Sequence, residues 1–293
     1  MTSFQRYTGA NTEFQYELLS GVDEGFIASH CTSLHQRFQV QTSLPCAIEE
    51  WFFRTYAAVK LILSATVMLS SVKYAAEKAL RIVEPYLLYY ALFNTSRAFV
   101  LLVPEQRWQD GRLLEESTHE KIRNVTADQL RYFSQGVADE YRDIAQRALV
   151  TRELFSYRFP AKGLKGGIEK VLPDFDETVF VCRYVAEVAQ LYSECLEKVF
   201  SHLGRPSGEF SETALSRVFE YEHKLLRNFL LHDSDDYHRL GRALVHLGRP
   251  VALLDTATEG LVEDFFAAWD FSELGVDTYK PDPSEWYLIF PFD

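Results

Sequence analysis

The sequence predicts an all-α protein, and three features of its 293 residues lead to this prediction. Apolar residues recur at helical spacing over several long segments, and few segments suggest strands. Proline and glycine fall between those segments, where helices are expected to begin and end. Apolar residues make up 47% of the chain and charged residues 25%, the balance of a globular protein with a substantial core.

The N-terminal half is predicted to contain long, buried helices. Residues 46–69 are apolar on all sides, which is typical of a helix inside a core. Residues 71–103 form either one helix bent at Pro85 or two helices that meet there. Residues 113–118 lead into 120–146, a charged and amphipathic segment that predicts another pair of helices.

Two apolar stretches have to be weighed as membrane spans. Residues 56–71 are too few to cross a bilayer and include Lys60, whereas 83–103 are long enough but include Glu84 and Arg97. Both are interpreted as buried helices, and no membrane association is expected. The first ten residues lack the basic and apolar regions of a secretory signal, so we expect a cytoplasmic protein.

The C-terminal half begins after a predicted break in the helical pattern. Residues 155–176 hold three glycines and two prolines, which predict a loop or hinge. Amphipathic helices are predicted beyond it at 178–203, 213–231 and 237–247. The aromatic, proline-broken segment 279–293 predicts an extended tail that packs on the body of the protein.

The chain divides, on this pattern, into an N-terminal helical part (1–155), a hinge loop (156–176) and a C-terminal helical part (177–293). The string His-Leu-Gly-Arg-Pro occurs twice, at 202–206 and 246–250. Because glycine closes a helix in the left-handed conformation and proline prevents its resumption, both copies are interpreted as helix stops.

The net charge of −12 is unevenly distributed. Residues 251–293 contain ten acidic residues and one base, so this segment carries −9 and the remaining chain only −3. An evenly acidic protein would repel nucleic acid, whereas a nearly neutral body does not exclude RNA. We expect 251–293 to compete with or restrain phosphate binding, or to serve as a partner surface.

Cofactor and metal motifs are not recognisable in the sequence. The four cysteines are widely spaced and without a C-x-x-C pair, so they are interpreted as reduced core thiols and no zinc site is expected. The loop AKGLKGG at 161–167 lacks the spacing of a phosphate-binding loop and is interpreted as a solvated hinge. We therefore expect no cofactor.

Histidine and arginine are concentrated in the C-terminal half. Histidine exchanges protons near neutral pH and arginine holds phosphate by two-point contact, so together they suit metal-independent phosphodiester cleavage. Asp233, Asp235 and Asp236 offer an alternative, a metal site with His232 and His238, or simply a polar turn between helices. The concentrated residues are His223, Lys224, Arg227, His232, His238, Arg239, Arg242, His246 and Arg249.

The segment LLRNFLLHD at 225–233 resembles the signature of the HEPN superfamily. That signature is an arginine, a polar residue that is often asparagine, three further residues and a histidine, here Arg227, Asn228 and His232. Some members have a tyrosine two residues after the histidine, where this chain has Ser234. A second stretch, PYLLYYALFNTSRAFVLL at 85–102 followed by THEKIRN at 118–124, resembles another part of HEPN proteins.

The resemblance implies an expanded HEPN-like helical bundle, because the two matches lie about 130 residues apart. It also implies a homodimer that cleaves RNA without metal in a cleft between protomers, as a toxin-like effector in prokaryotic stress or phage defence. The catalytic residues would be Arg227, Asn228 and His232. An antitoxin or another protein is a further expected partner.

Helix geometry leaves two arrangements open for this motif. Asn228 and His232 share a helix face, whereas Arg227 and His232 lie about 140° apart. They converge on one phosphate if the helix ends near Leu231, or if a two-fold dimer brings two copies together. The competing interpretation is purely structural: His232 caps a helix end near a carboxylate, and Arg227 forms a surface ion pair with Glu222 or Asp233.

Further substrate contacts are predicted at Lys224, His238, Arg239 and Arg97. Arg97 lies in an apolar helix and must find either a carboxylate or the surface, as a structural ion pair or as a second phosphate contact. His119 and Arg123 lie four residues apart on one helix face, and the same two roles, a structural contact or a phosphate contact, are considered for them. The alternative functions are a non-catalytic helical module for RNA binding or dimerisation, and an interaction protein whose acidic tail docks on a partner.

Overall fold

A computed structural model describes residues 3–9, 14–44, 47–108, 112–115, 117–158, 171–202, 234–270 and 279–290. All regular secondary structure in these ranges is helical, which confirms the predicted all-α class. The helices are α1 (Ser3–Thr8), α2 (Glu24–Gln41), α3 (Ala47–Glu77), α4 (Glu84–Leu102), α5 (Arg112–Glu115), α6 (His119–Phe133), α7 (Gln135–Glu153), α8 (Phe175–Ser201), α9 (Ser234–Leu247), α10 (Leu253–Thr256) and α11 (Glu259–Ala267). Shorter helical turns lie at Leu19–Gly21, Arg81–Val83, Leu154–Arg158 and Pro283–Leu288.

The centre of the fold is the antiparallel pair of α3 and α4. These are two helices that meet near Pro85, which resolves the alternative left open by the sequence. Pro85 lies in the first turn of α4, where its missing N–H would have had no partner within the helix. Helix α3 continues to Glu77, beyond the predicted end at 69. Arg54 joins the two helices by donating to the carbonyl oxygens of Leu101 and Val103.

Helix α3 is long and apolar enough to cross a bilayer, but 78% of its most apolar window is buried inside the protein. It contacts α4, α8, α9, α10 and α11, so its apolar sides are covered by other helices. This burial fits the core helix of a soluble protein.

Helix α8 crosses the core and begins with a capping box. The Asp174 side chain accepts from the N–H groups of Asp176 and Glu177, and the Glu177 side chain accepts from the Asp174 N–H. Its apolar residues pack against α4 and α2. The predicted helix at 178–203 is confirmed, three residues longer at its start.

One face of α8 also carries a buried polar stripe that holds two distant parts of the chain. The Glu187 carboxylate accepts from the backbone N–H groups of Glu17, Leu18 and Leu19, at the start of the Leu19–Gly21 turn. These groups are 2.9–3.2 Å from the carboxylate oxygens. Glu187 is fully buried, so the N-terminal segment is anchored inside the core rather than on its surface.

The same stripe continues toward the end of α8 and holds the start of α10. Gln190 accepts from the Leu254 N–H, Ser193 from the Leu253 N–H, and Glu197 from the Ala252 N–H. Helix N-termini leave N–H groups without intrahelical partners, and these side chains supply the acceptors.

The segment near the C-terminus packs on the body of the protein, as predicted. Trp286 and Phe290 are buried, and the Tyr279 hydroxyl donates to the Val67 carbonyl oxygen on α3. The expectation of an extended conformation is wrong for part of it, because Pro283–Leu288 forms a 3-10 helix. The Asp282 side chain caps this helix by accepting from the Ser284 N–H.

A single hydrophobic cluster contains residues from both predicted helical parts, from Phe4 to Phe290. The division into parts at 155 and 177 stays a prediction. Cys31, Cys182 and Cys195 are buried free thiols, as expected of core cysteines. Within the predicted hinge, residues 154–158 continue the chain from α7 as a π-helical turn, and 159–170 lie outside the described residues.

The end of α3 predicts a stabilising substitution. Ala79 has φ of 58°, which is the left-handed conformation that glycine usually adopts after the end of a helix. The Leu80 N–H donates to the Ala75 carbonyl oxygen and the Ala79 N–H to the Ala76 carbonyl oxygen, which is the hydrogen-bond pattern of a Schellman motif. Ala79→Gly removes the left-handed strain and is expected to raise the free energy of unfolding by about 0.5–1 kcal/mol. The matched control Ala76→Gly, inside the exposed last turn, is expected to lower it by about 1 kcal/mol. Urea denaturation of both variants measures the signs, and equal signs would contradict the assignment.

The buried Glu194 predicts a pH dependence of stability. Burial raises the pKa of its carboxyl from 4.5 to about 7, although Gln190, Thr8 and Tyr16 hydrogen bonds oppose the rise. The folded protein therefore holds this proton more tightly than the unfolded chain, and the stability contributed by Glu194 falls as the pH rises from 4.5 to about 7.

Glu194→Gln, which resembles the protonated acid, is expected to flatten this decrease. Urea denaturation across the same pH range compares it with wild type and with Glu263→Gln, an exposed control on α11. A slope unchanged by Glu194→Gln would show that the decrease comes from other groups.

Candidate functional site

The central residues of the predicted motif, Arg227, Asn228 and His232, lie outside the described residues, as do Lys224 and the predicted helix at 213–231. Their roles stay predictions. Helix α9 begins at Ser234, two residues after His232. Its end confirms the predicted stop, because Gly248 has φ of 66° and follows the last helical residue.

The two predicted site residues on α9 have different surroundings. His238 is exposed. Arg239 forms ion pairs with Asp264 on α11 and, at 3.6 Å, with Asp236. Arg239 is thus held by carboxylates of the chain itself, one of them from the acidic 251–293 segment, and its contact with substrate stays a prediction.

Asp236 is a buried structural carboxylate. It accepts from the Tyr56 hydroxyl at 2.5 Å and from the Lys60 ammonium, both on α3. Burial, together with the hydrogen bond to Asp236, raises the pKa of the Tyr56 hydroxyl. No group of three or more His, Cys, Asp or Glu side chains with metal-binding proximity occurs in the described part of the chain. Two members of the alternative metal site, His232 and Asp233, lie outside that part.

A cleft of about 270 Å³ lies where α4, α6 and α7 meet. We call it the His119 cleft. It is built by the pairing of α6 with α7 around the turn at Ser134, whose side chain accepts from the Val137 N–H and starts α7. Both helices pack on α4. Its lining residues are Tyr89, Leu92, Phe93, Ser96, His119, Glu120, Ile122, Arg123, Tyr141, Ala145, Leu149, Arg152 and Glu153.

The imidazole of His119 is held by two aromatic residues of α4. Its Nδ1 atom is 2.5 Å from the Tyr89 hydroxyl, and its ring stacks on Phe93 with the ring centres 4.1 Å apart. Thr118 caps α6 by accepting from the Lys121 N–H, so His119 is the first residue of the helix and its backbone position is fixed by the cap. The contact at Nδ1 leaves Nε2 as the ring nitrogen available for proton transfer or for a ligand.

The electrostatics of the cleft keep His119 neutral at a lower pH than an ordinary histidine. Partial burial and the nearby cations Arg152 and Arg97 lower the pKa of His119 below its ordinary value of 6.5. A neutral imidazole accepts a proton, as a general base does, and a bound anion would offset the repulsion by the two arginines.

Three arginines surround His119, each positioned by a different contact. The Arg152 guanidinium lies over the Tyr89 ring at 4.8 Å, and the Arg97 guanidinium over the Phe93 ring at 5.7 Å. Arg123 donates to the Gln146 side chain at 3.0 Å. Stacking on an aromatic ring orients a guanidinium group and adds a cation–π attraction.

Two exposed glutamates, Glu120 and Glu153, also lie at the rim. Glu153 is 3.6 Å from Arg152 in a weak contact with the neighbouring residue. Two arginines, Arg123 and Arg152, and these two glutamates line the cleft, whereas Arg97 lies over the Phe93 ring and is not among the lining residues. The rim therefore offers both anion-binding donors and carboxylate acceptors.

The interior of the cleft is mostly apolar, with one pair of hydroxyls. Leu92, Ile122 and Ala145 are buried there. The Ser96 and Tyr141 hydroxyls are 2.9 Å apart and lie beside them. Such a mixture of an apolar wall with few polar groups is typical of small-molecule sites.

The structure brings together three residues singled out from the sequence, Arg97, His119 and Arg123. They lie on helices formed by the two stretches that make up the second HEPN-like match, 85–102 and 118–124. Arg239 and His238 lie instead on α9, which packs on α3. Arg97 is half-buried and its guanidinium lies over the Phe93 ring, and its role as an ion pair or as a phosphate contact stays a prediction.

Most residues of the cleft were not singled out from the sequence, among them Tyr89 and Arg152, which contact His119 or lower its pKa. A signal for Arg152 exists, because antiparallel helices oppose residues that lie equally far from the turn between them. With the turn at Ser134, Arg123 opposes Gln146, and the first turn of α6 opposes the last turn of α7. The register of α6 against α7 could be predicted from the sequence only if the turn between them had been placed at Ser134.

No protein-family model, no curated protein and no solved structure matches the chain. The HEPN resemblance rests on its own residues, namely 227–232 with the stretches 85–102 and 118–124, and stays a prediction.

The neutral state of His119 gives a prediction for the cleft. Arg152→Gln and Arg97→Gln each remove a positive charge that lowers the pKa of His119, so each is expected to raise that pKa. NMR titration of the His119 ring protons measures it. Arg131 is an exposed arginine on α6, the helix that carries His119, and Arg131→Gln is the control that is expected to leave the pKa of His119 unchanged. A pKa that does not move in either cleft variant would place the two guanidinium groups away from His119.

Proposed function

We propose that the protein is a HEPN-like, metal-independent endoribonuclease. The observation that carries the proposal is the grouping of His119 and Arg123, which line the His119 cleft, with Arg97, which lies close enough to His119 to lower its pKa. This grouping gives an acidic protein a local surface that suits RNA phosphate, and it joins the helices of the second HEPN-like stretch. The chemistry is assigned to Arg227, Asn228 and His232 by the spacing of their motif.

The proposed reaction is an internal transesterification of RNA. His232 removes the proton of a ribose 2′-hydroxyl, and the 2′ oxygen attacks the adjacent phosphorus. The bond from phosphorus to the 5′ oxygen breaks, and His232 of the second protomer protonates that oxygen. Arg227 stabilises the charge on the phosphoryl oxygens, and Asn228 orients His232 or the phosphate. The products are a 2′,3′-cyclic phosphate and a 5′-hydroxyl.

The two-fold dimer remains the proposed assembly, because the HEPN resemblance implies it.

The ion pair between Arg239 and Asp264 supports a restraining role for the acidic segment. It joins a proposed substrate contact to the 251–293 segment, so Asp264 competes with phosphate for the same guanidinium. The buried Trp286 and Phe290 favour this intramolecular role over docking of the tail on a partner. We place the protein in the cytoplasm, as an effector of stress or phage defence with an antitoxin or another protein as regulator.

Cleavage of RNA in EDTA tests the function. Wild type is expected to cut single-stranded RNA in EDTA and to leave cyclic phosphate ends, whereas Arg227→Ala and His232→Ala lose at least about a hundredfold in rate. Gel analysis of end-labelled RNA measures both the rate and the end chemistry. Arg131→Ala and His202→Ala are matched exposed controls that keep the wild-type rate.

Loss of activity in EDTA would contradict the metal-independent mechanism and favour the Asp233 to Asp236 alternative. RNA that is bound but never cut would contradict the enzyme and favour the non-catalytic RNA-binding module.

A further inference from the structure

Arg152 has a buried donor that lacks an acceptor. Its Nε–H has no hydrogen-bond partner among the described residues, and its side chain is only 16% exposed. Buried N–H groups are nearly always hydrogen-bonded, since an unpaired one costs free energy. Arg152 lines the His119 cleft, so a ligand in the cleft is in position to supply an acceptor.

The rim of the cleft is suited to a ligand that carries both negative charge and hydroxyl groups. Arg123 and Arg152 line the cleft, and phosphate accepts from arginine by two-point contact. Glu120 and Glu153 would repel a simple polyanion, but carboxylates accept hydrogen bonds from ribose hydroxyls in nucleotide sites. A nucleotide matches both kinds of group.

The interior is suited to a flat, largely apolar group. Leu92, Ile122 and Ala145 form its wall. The Ser96 hydroxyl donates to the Leu92 carbonyl oxygen and is 2.9 Å from the Tyr141 hydroxyl, so the protons of this pair are used within the protein and its oxygens are the acceptors offered to the edge of a base. The Phe93 ring and the His119 imidazole are already stacked on one another, so a base would lie against this wall rather than between those rings.

The volume of about 270 Å³ is at the small end of ligand sites, which limits the occupant to one small molecule or one terminal group. We infer that the His119 cleft binds one mononucleotide unit, with the base against the apolar wall, the ribose at the glutamates and the phosphate at Arg123 and Arg152. The unit is either a free mononucleotide or the phosphorylated end of an RNA. The inference shares the arginines with the proposed nuclease but does not rest on cleavage by Arg227 and His232.

Calorimetric titration of the full chain tests this site with uridine 5′-monophosphate and adenosine 5′-monophosphate. At least one nucleotide is expected to bind more tightly than uridine, adenosine or inorganic phosphate. Only a nucleotide has both a base to contact the apolar wall of the cleft and a phosphate to contact the arginines at its rim. Arg123→Gln is expected to weaken that binding about tenfold, as the loss of one charge-assisted hydrogen bond does. Arg131→Gln on the same helix is the matched control and keeps the wild-type affinity.

Two further measurements keep the test independent of folding defects. Ala145→Leu narrows the wall of the cleft and is expected to weaken nucleotide binding, and its denaturation midpoint shows whether the fold is retained. NMR shifts of the His119 ring on nucleotide addition locate the ligand. Inorganic phosphate that binds as well as the nucleotides would overturn the mononucleotide assignment, and so would nucleotide binding unaffected by Arg123→Gln with no shift at His119.

RNA oligonucleotides with a 5′-phosphate or a 5′-hydroxyl distinguish the two sources. Tighter binding of the 5′-phosphorylated RNA than of both the 5′-hydroxyl RNA and the free nucleotide assigns the cleft to an RNA end, whereas tighter binding of the free nucleotide than of either RNA assigns it to a free nucleotide. Repeating the nucleotide titration with His232→Ala separates the mononucleotide site from the nuclease, because this variant is expected to lose RNA cleavage and to keep nucleotide binding. Nucleotide binding without RNA cleavage in wild type removes the nuclease and keeps the site, whereas cleavage without nucleotide or RNA-end binding at the cleft removes the site.

Discussion

The structure depends on the buried polar stripe of α8. Glu187 accepts three backbone N–H groups near the N-terminus, and Gln190, Ser193 and Glu197 accept three more at the start of α10. Apolar side chains at these positions would leave those six donors buried without acceptors, at a cost of about 1–3 kcal/mol each. The stripe therefore holds residues 17–19 and 252–254 in one core, although these two segments lie more than 230 residues apart in the sequence.

The same helix supports the His119 cleft from behind. Tyr192 of α8 packs edge-on against Phe99 of α4 with ring centres 5.1 Å apart, and its hydroxyl donates to Gln129 of α6 at 2.7 Å. Helices α4 and α6 both contact this buried side chain, and they carry His119 at the start of α6 and Arg97 two residues before Phe99 on α4. A rigid support of this kind sets the positions of charged groups that would otherwise repel one another.

Periodicity predicted the helices well and the long-range polar contacts poorly. The segments 178–203 and 237–247 were predictable because their apolar residues recur every three to four positions and glycine follows them. Glu187 also lies at helical spacing, but its partners lie about 170 residues away, and spacing along the chain carries no information about them. Of the cleft, Arg97, His119 and Arg123 were identified from their unusual residue types. Arg152 was not, because its position depends on the register of α6 against α7.

Amide hydrogen exchange with and without bound RNA tests the central claim most directly, namely that an anion-binding cleft on α4, α6 and α7 is the functional surface of this acidic chain. A 2′-deoxy-substituted, 5′-phosphorylated oligonucleotide binds without being cleaved by 2′-hydroxyl attack. The account predicts slower exchange at 119–124 and 149–153, at the His119 cleft, in addition to any protection at 225–236. Exchange that slows only outside α4, α6 and α7, or not at all at saturating oligonucleotide, would contradict it.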